Sequence, residues 1–174
     1  MLRFLSFSLV LLQAVAKPVP PATHVPAADI EAAFKDARAQ NRTDIPIQTM
    51  DAGTHNVEVA IANVVKPTGF VAHDKVTEMY YVLEGLGTHV SGGVLVNPRR
   101  SGRPDSKVVG PTGPSMSGDS IRDGTARRIG KGDYVILPAG TPHAWTEVTQ
   151  PLRYIDVRID PERVLQPLGK RRIQ

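Results

Sequence analysis

The sequence predicts an all-β sandwich or barrel with one short helix near its N-terminus. Three observations point there. From Asn56 onward, short runs of β character follow one another with no helical periodicity between them. The 174 residues include 15 Gly and 15 Pro. Average usage for the pair is about 12%, so the excess implies many turns. Helical spacing of apolar residues occurs convincingly in one early segment alone.

Residues 1–16, MLRFLSFSLVLLQAVA, place Arg3 before an apolar run to Leu12 and an Ala14-Val15-Ala16 end. This is the pattern of a secretory signal peptide and predicts export, periplasmic or secreted. The run falls short of the about 20 apolar residues that cross a membrane, so no span is expected after cleavage. Residues 17–26, rich in proline, read as an extended linker. Ile30, Ala33, Phe34 and Ala37 then follow i, i+3, i+4, i+7, which predicts a helix ending near Arg38. Its small apolar face must pack on another element.

Asn56–Val65 alternates Val57, Val59 and Ile61 with polar or small residues, as a half-buried strand does. Glu78–Leu83 is apolar on both faces. Glu84-Gly85-Leu86-Gly87 reads as a turn, so Thr88–Val96 is expected to return as the second strand of a hairpin. Tyr134–Leu137 is again apolar on both faces, and Leu152–Ile159 alternates. Residues 97–131 form an inserted loop rich in Gly, Pro and Ser, with eight basic and three acidic residues. It reads as a solvated insertion, or as a lid or anion-attracting collar. The basic residues lack interleaved aromatics, so no nucleic acid is expected as partner.

The chain has no cysteine. That excludes a disulfide framework, cysteine-ligated zinc or iron–sulfur sites and a thiol nucleophile, and leaves His, Asp and Glu for any metal. For an exported chain it suits a bacterial periplasm better than a eukaryotic secretory route. Asn41-Arg42-Thr43 is a glycosylation acceptor triplet, meaningful only in a eukaryotic source. His24, in the linker, and His55, before the first β run, read as exposed.

Two stretches carry chemistry. In Gly132-Asp133-Tyr134-Val135-Ile136-Leu137-Pro138-Ala139-Gly140-Thr141-Pro142-His143, Pro138 and Gly140 suit a strand end and tight turn that deliver His143 to the next strand. In His73-Asp74-Lys75-Val76-Thr77-Glu78, Glu78 begins a strand. Two histidines and a glutamate, each near a strand start, can converge inside a barrel and bind a divalent metal.

These stretches resemble the motifs of the cupin superfamily. Glu78-x6-Gly85 matches the end of the first motif. Gly132-x5-Pro138-x-Gly140-x2-His143 matches the second, except that Glu147 stands where the family usually has Asn. Taking His73 as the second His of the first motif keeps the four-residue gap to Glu78. It then puts Val71 at the first His and Val65 at the leading Gly. Taking His73 as the first His puts Lys75 at the second and shortens the gap to two. The resemblance covers roughly residues 57–159.

The resemblance implies a double-stranded β-helix, the jelly-roll or cupin barrel, with a site in its mouth. It frames 27–174 as one domain, with the barrel core at about 57–159. Many members bind Fe, Mn, Ni, Zn or Cu and catalyse dioxygenation, isomerisation, epimerisation or decarboxylation; others bind small molecules without turnover. His73, Glu78 and His143 carry over as metal ligands, a set that suits Fe(II) and similar ions and leaves a position open. Two readings stand: an enzyme using that metal, or a ligand-binding or sensing barrel whose site is a relic without an ion. Val71 and the nearby cation Lys75 favour the second.

Four further residues are candidates for the substrate pocket. Lys75 either holds a substrate carboxylate or sits exposed on a turn. His89 either replaces the absent ligand or lines the pocket. Trp145 shares a strand face with His143, and Tyr80 shares one with Glu78. Met79, Tyr81 and Leu83 occupy the opposite face, which the helix, a sheet edge or a partner subunit must cover. Cupins are often dimers, so a small-molecule ligand and a homodimer are expected.

Overall fold

The computed structural model describes residues 21–101 and 111–165. The expected signal peptide, the start of the linker and the middle of the inserted loop lie outside them. The described chain is antiparallel β throughout, apart from one helix, α1 (Ala27–Ala39). This architecture is consistent with a cupin fold, although no strand pairing closes the sheet into a ring among the described residues. No helix among them is long and apolar enough to cross a membrane.

Pro26 carries extended backbone at the start of α1, and its carbonyl accepts from the amides of Asp29 and Ile30. The spacing read from the sequence is the buried face: Ala33, Phe34 and Ala37 are 0–3% exposed. They pack on Ile45 and Ile47 of β1 (Asp44–Asp51) and Ile61 of β2 (Asn56–Val64). The Arg153 guanidinium lies over the Phe34 ring, 4.1 Å from its centroid, and closes this layer.

The chain then runs through β3 (Phe70–His73), β4 (Thr77–Ser91), β5 (Val94–Val96), β6 (Arg99–Arg100), β7 (Ser115–Gly118), β8 (Ser120–Arg122), β9 (Thr125–Gly130), β10 (Tyr134–Leu137) and β11 (His143–Asp160). Two long strands, β4 and β11, pair from end to end and form the spine. At one end, β11 carries β2 and β1 on its other edge, and β4 carries β10. At the other end, β11 meets β3, then β7 and β6, and β4 carries β9. Register shifts interrupt the β4–β11 ladder between Trp145 and Tyr154, and such bulges bend a ribbon. The inner faces of the two ends enclose a second core of Val64, Tyr80, Val82, Leu137, Leu152 and their neighbours.

Three sequence expectations change. Glu84 to Gly87 is no turn: β4 runs straight through it, and Thr88–Ser91 continues the same strand. The glycines instead permit close approach to β11. A Cβ on Gly85, whose φ is +99°, would stand 2.3 Å from the Pro151 carbonyl oxygen, and one on Gly87 would stand 2.6 Å from that of Glu147. The 97–131 insertion is no uniform loop either, because β6, β7, β8 and β9 lie in it and Arg127 and Arg128 are strand residues. Last, the apolar alternation of β2 does not mark its inner face. Glu58 and Asn56 are buried, while Val57 and Val59 are half-buried.

Candidate metal centre

Three strands deliver three side chains to one point. His73 ends β3, Glu78 is the second residue of β4, and His143 opens β11. The turn at Pro138-Ala139-Gly140 hands the chain from β10 to His143, with Gly140 at φ +80°. The imidazole Nε2 atoms of His73 and His143 lie 3.6 and 3.5 Å from Glu78 Oε2. One ligand atom from each of the three residues lies within 4.8 Å of the others.

The hydrogen bonds around this triad fix where its protons are. The Ser115 hydroxyl donates to the Gly113 carbonyl, so it must accept from His73 Nδ1–H at 2.8 Å. The Thr141 carbonyl can only accept, so His143 Nδ1 also carries a proton, at 3.0 Å. Both Nε2 atoms therefore present lone pairs to Glu78 Oε2, which already accepts from the Tyr80 hydroxyl at 2.9 Å. Burial holds His73 down to about 3 and lowers His143, so both rings are neutral near pH 7. Three lone pairs thus converge with no hydrogen between them. A cation resolves that arrangement, and the two imidazoles and one carboxylate match a divalent transition metal.

Behind Glu78 sits a buried guanidinium. Arg158 is 1% exposed, and its Nε lies 3.6 Å from Glu78 Oε1. It donates to Asp156 at 2.8 Å, to Glu58 at 2.9 Å and to Asp44. Burial raises Glu58, Glu78 and Asp156, with Arg158 opposing the rise in each case. Asp156 Oδ1 is buried without a hydrogen-bond partner among the described residues.

The triad opens onto a cavity of about 670 Å³. Tyr80, Trp145, Tyr154 and Asp156 line it beside the ligands. The Trp145 indole donates to the Tyr154 hydroxyl at 3.3 Å, and the Tyr80 and Tyr154 rings lie 4.5 Å apart. Val71, the position that the resemblance gives to a further histidine, lines the same cavity and pairs in register with His143.

Of the four pocket candidates, Tyr80 and Trp145 are on the cavity wall and Lys75 and His89 are not. Lys75 is exposed and paired with Glu162 at 2.8 Å. His89 is on β4 itself, not on a returning strand. Its ring centre lies 6.0 Å from that of His143 and 4.8 Å from that of Trp145. It stands outside the three-residue ligand group. Sequence reasoning missed Tyr154, Asp156 and Arg158. Their signal was available: they occupy every second position of one strand, so they share a face.

No family model matches the chain, and no curated protein does. Solved structures do. The chain is similar to a protein of Bacillus halodurans, at 16% identity over 86% of this chain and 90% of that one, with a TM-score of 0.48. It is similar to the L-ribose isomerase of Cellulomonas parahominis, at 13% identity over 76% and 82% of the two chains and a TM-score of 0.43. The polyketide cyclase RemF of Streptomyces resistomycificus gives 20% identity over 67% and 65% and a TM-score of 0.39.

Proposed function

We propose that this chain is an exported cupin that holds one divalent metal between His73, Glu78 and His143 and uses it on a small molecule bound in the adjoining cavity. One observation carries the reading: three lone pairs converge on a cavity wall, with both imidazole protons tied up on the far side. When bound, such an ion supplies a Lewis acid that polarises a substrate oxygen, in oxygenase-, isomerase- or decarboxylase-type chemistry. The chain's own residues do the rest. Ser115 and Thr141 hold the imidazoles in one tautomer, and the Tyr80 hydroxyl holds the carboxylate. Arg158 offsets the negative charge that Glu78 and Asp156 bring into the interior.

The test is elemental analysis of purified protein prepared without a His tag or chelator. About one equivalent of Fe, Mn, Ni, Zn or Cu, absent in His143→Ala, supports the centre. No metal after incubation with each ion removes it. The second reading, a ligand-binding barrel without turnover, rests on Val71 facing the cavity where the resemblance expects a ligand. Ligand-induced stabilisation of a metal-free protein, with no product from any substrate, would establish it.

Export and dimerisation belong to the same reading. N-terminal sequencing of protein from the periplasm or medium should begin near Lys17. A second copy would cover the outer face of β4 and β10, where Tyr81, Tyr134 and Ile136 are 45, 55 and 61% exposed. Sedimentation as a monomer at micromolar concentration would rule the dimer out.

A further inference from the structure

The cavity has a charge gradient. Its inner wall carries Glu78 and Asp156, both within reach of Arg158. Its remaining lining includes three cations from separate stretches of chain: Arg38 in the last turn of α1, Arg42 in the α1–β1 connection, and Lys66 just after β2. All three are exposed. The amides of Asn41 and Asn63 lie among them on the same wall.

These three cations line one concavity, and none of them has a carboxylate partner among the described residues. Elsewhere on the surface, basic side chains commonly engage carboxylates: Lys75 with Glu162, Arg99 with Asp119, Arg128 with Glu147, Arg163 with Asp51. No carboxylate among the described residues pairs with Arg38, Arg42 or Lys66. Asp44 lines the same cavity but is held by Arg158. Three like charges kept together around a concavity repel one another, and an anion entering the cavity relieves that repulsion.

We propose that the cavity selects an anionic small molecule, a carboxylate or a phosphate ester. Its charged group docks on Arg38, Arg42 and Lys66, and its other end reaches His73, Glu78 and His143. The proposal rests on the small-molecule reading above and supplies the substrate class. A cavity of about 670 Å³ admits a metabolite-sized ligand. A guanidinium can donate two parallel N–H bonds to two oxygens of a carboxylate or of a phosphate.

The experiment is calorimetric titration of the purified protein at low salt with two probes, citrate and inorganic phosphate. Metal content is measured on the same sample. Either probe should bind, more weakly as salt rises. Arg38→Gln, Arg42→Gln and Lys66→Gln should each weaken binding about tenfold, and the triple variant should abolish it, with metal content unchanged. Arg127→Gln serves as control: Arg127 is exposed on β9 and does not line the cavity, so affinity should not change. Which probe binds more tightly separates a carboxylate ligand from a phosphate ester. Absence of binding by both probes overturns the proposal, as does equal affinity in wild type and the triple variant. Anion binding through these cations by a sample that takes up no metal would overturn the metal reading and leave this one standing.

Discussion

Replacing Arg158 with methionine tests how the interior tolerates the carboxylates of the site. The guanidinium is 1% exposed and faces Asp44, Glu58, Glu78 and Asp156, of which the last three are also buried. Methionine keeps part of the stem and removes the charge and every donor. Breaking a buried ion pair by removing one partner costs about 3–5 kcal/mol, because the other charge stays behind. For a domain of this size that lowers the melting temperature by on the order of 10 °C. The pH dependence is the sharper test. Without Arg158, the pKa values of Glu58, Glu78 and Asp156 in the folded state rise further above their unfolded values near 4.5 and 3.8. The folded state then binds more protons than the unfolded one, so stability falls as pH rises through that window. Urea denaturation of wild type and variant at pH 5 and pH 8 reads both effects. The deficit should be largest at pH 8 and shrink at pH 5. A deficit below about 1 kcal/mol at pH 8, under the cost of one unsatisfied buried group, would refute the reasoning. So would a deficit that grows towards acid.

Three further outcomes are expected. Ser115→Ala frees His73 Nδ1 and should weaken metal binding about 10–100-fold in a competition titration while the fold is retained; unchanged affinity would mean that the tautomer is set elsewhere. Burial holds His89 down to about 3 against an ordinary 6.5, so its contribution to stability is present above 6.5 and is lost as pH falls from there towards 3. His89→Gln should therefore flatten the acid slope of unfolding free energy by up to about 1.4 kcal/mol per pH unit, and an identical slope would count against that burial effect. Gly85→Ala places a Cβ 2.3 Å from the Pro151 carbonyl oxygen at a φ of +99° and should cost at least about 1–3 kcal/mol by thermal denaturation; a neutral result would show that β4 and β11 do not approach so closely there.

Much of the frame is legible in the residues alone. Spacing places the helix face on Ala33, Phe34 and Ala37, and those are buried. The spacings around Glu78 and His143 single out the three side chains that meet. Such signals are local: a period of 3.6, or a Pro-x-Gly turn followed by a histidine, acts within a few residues of itself.

What the tertiary structure alone decided is which side of each strand faces in, and what stands behind the ligands. A period of two gives a strand two faces but does not choose between them, and the usual choice, apolar inward, fails here. Glu58 on β2, and Asp156 and Arg158 on β11, turn inward because opposite charges meet there: Arg158 finds Asp44 and Glu58 on strands distant in sequence, and Asp156 on its own strand. Val57 and Val59 take the other face. The same holds at Gly85 and Gly87, which read as a turn until β11 lies against them. Lys75 and His89 leave the cavity wall for equally distant reasons: Glu162 draws out the first, and the second packs against Trp145. Local pattern thus determined the helix, several of the strands and the three side chains that meet. Contacts between residues up to 114 positions apart, such as Arg158 with Asp44, determined the electrostatic setting in which that set works.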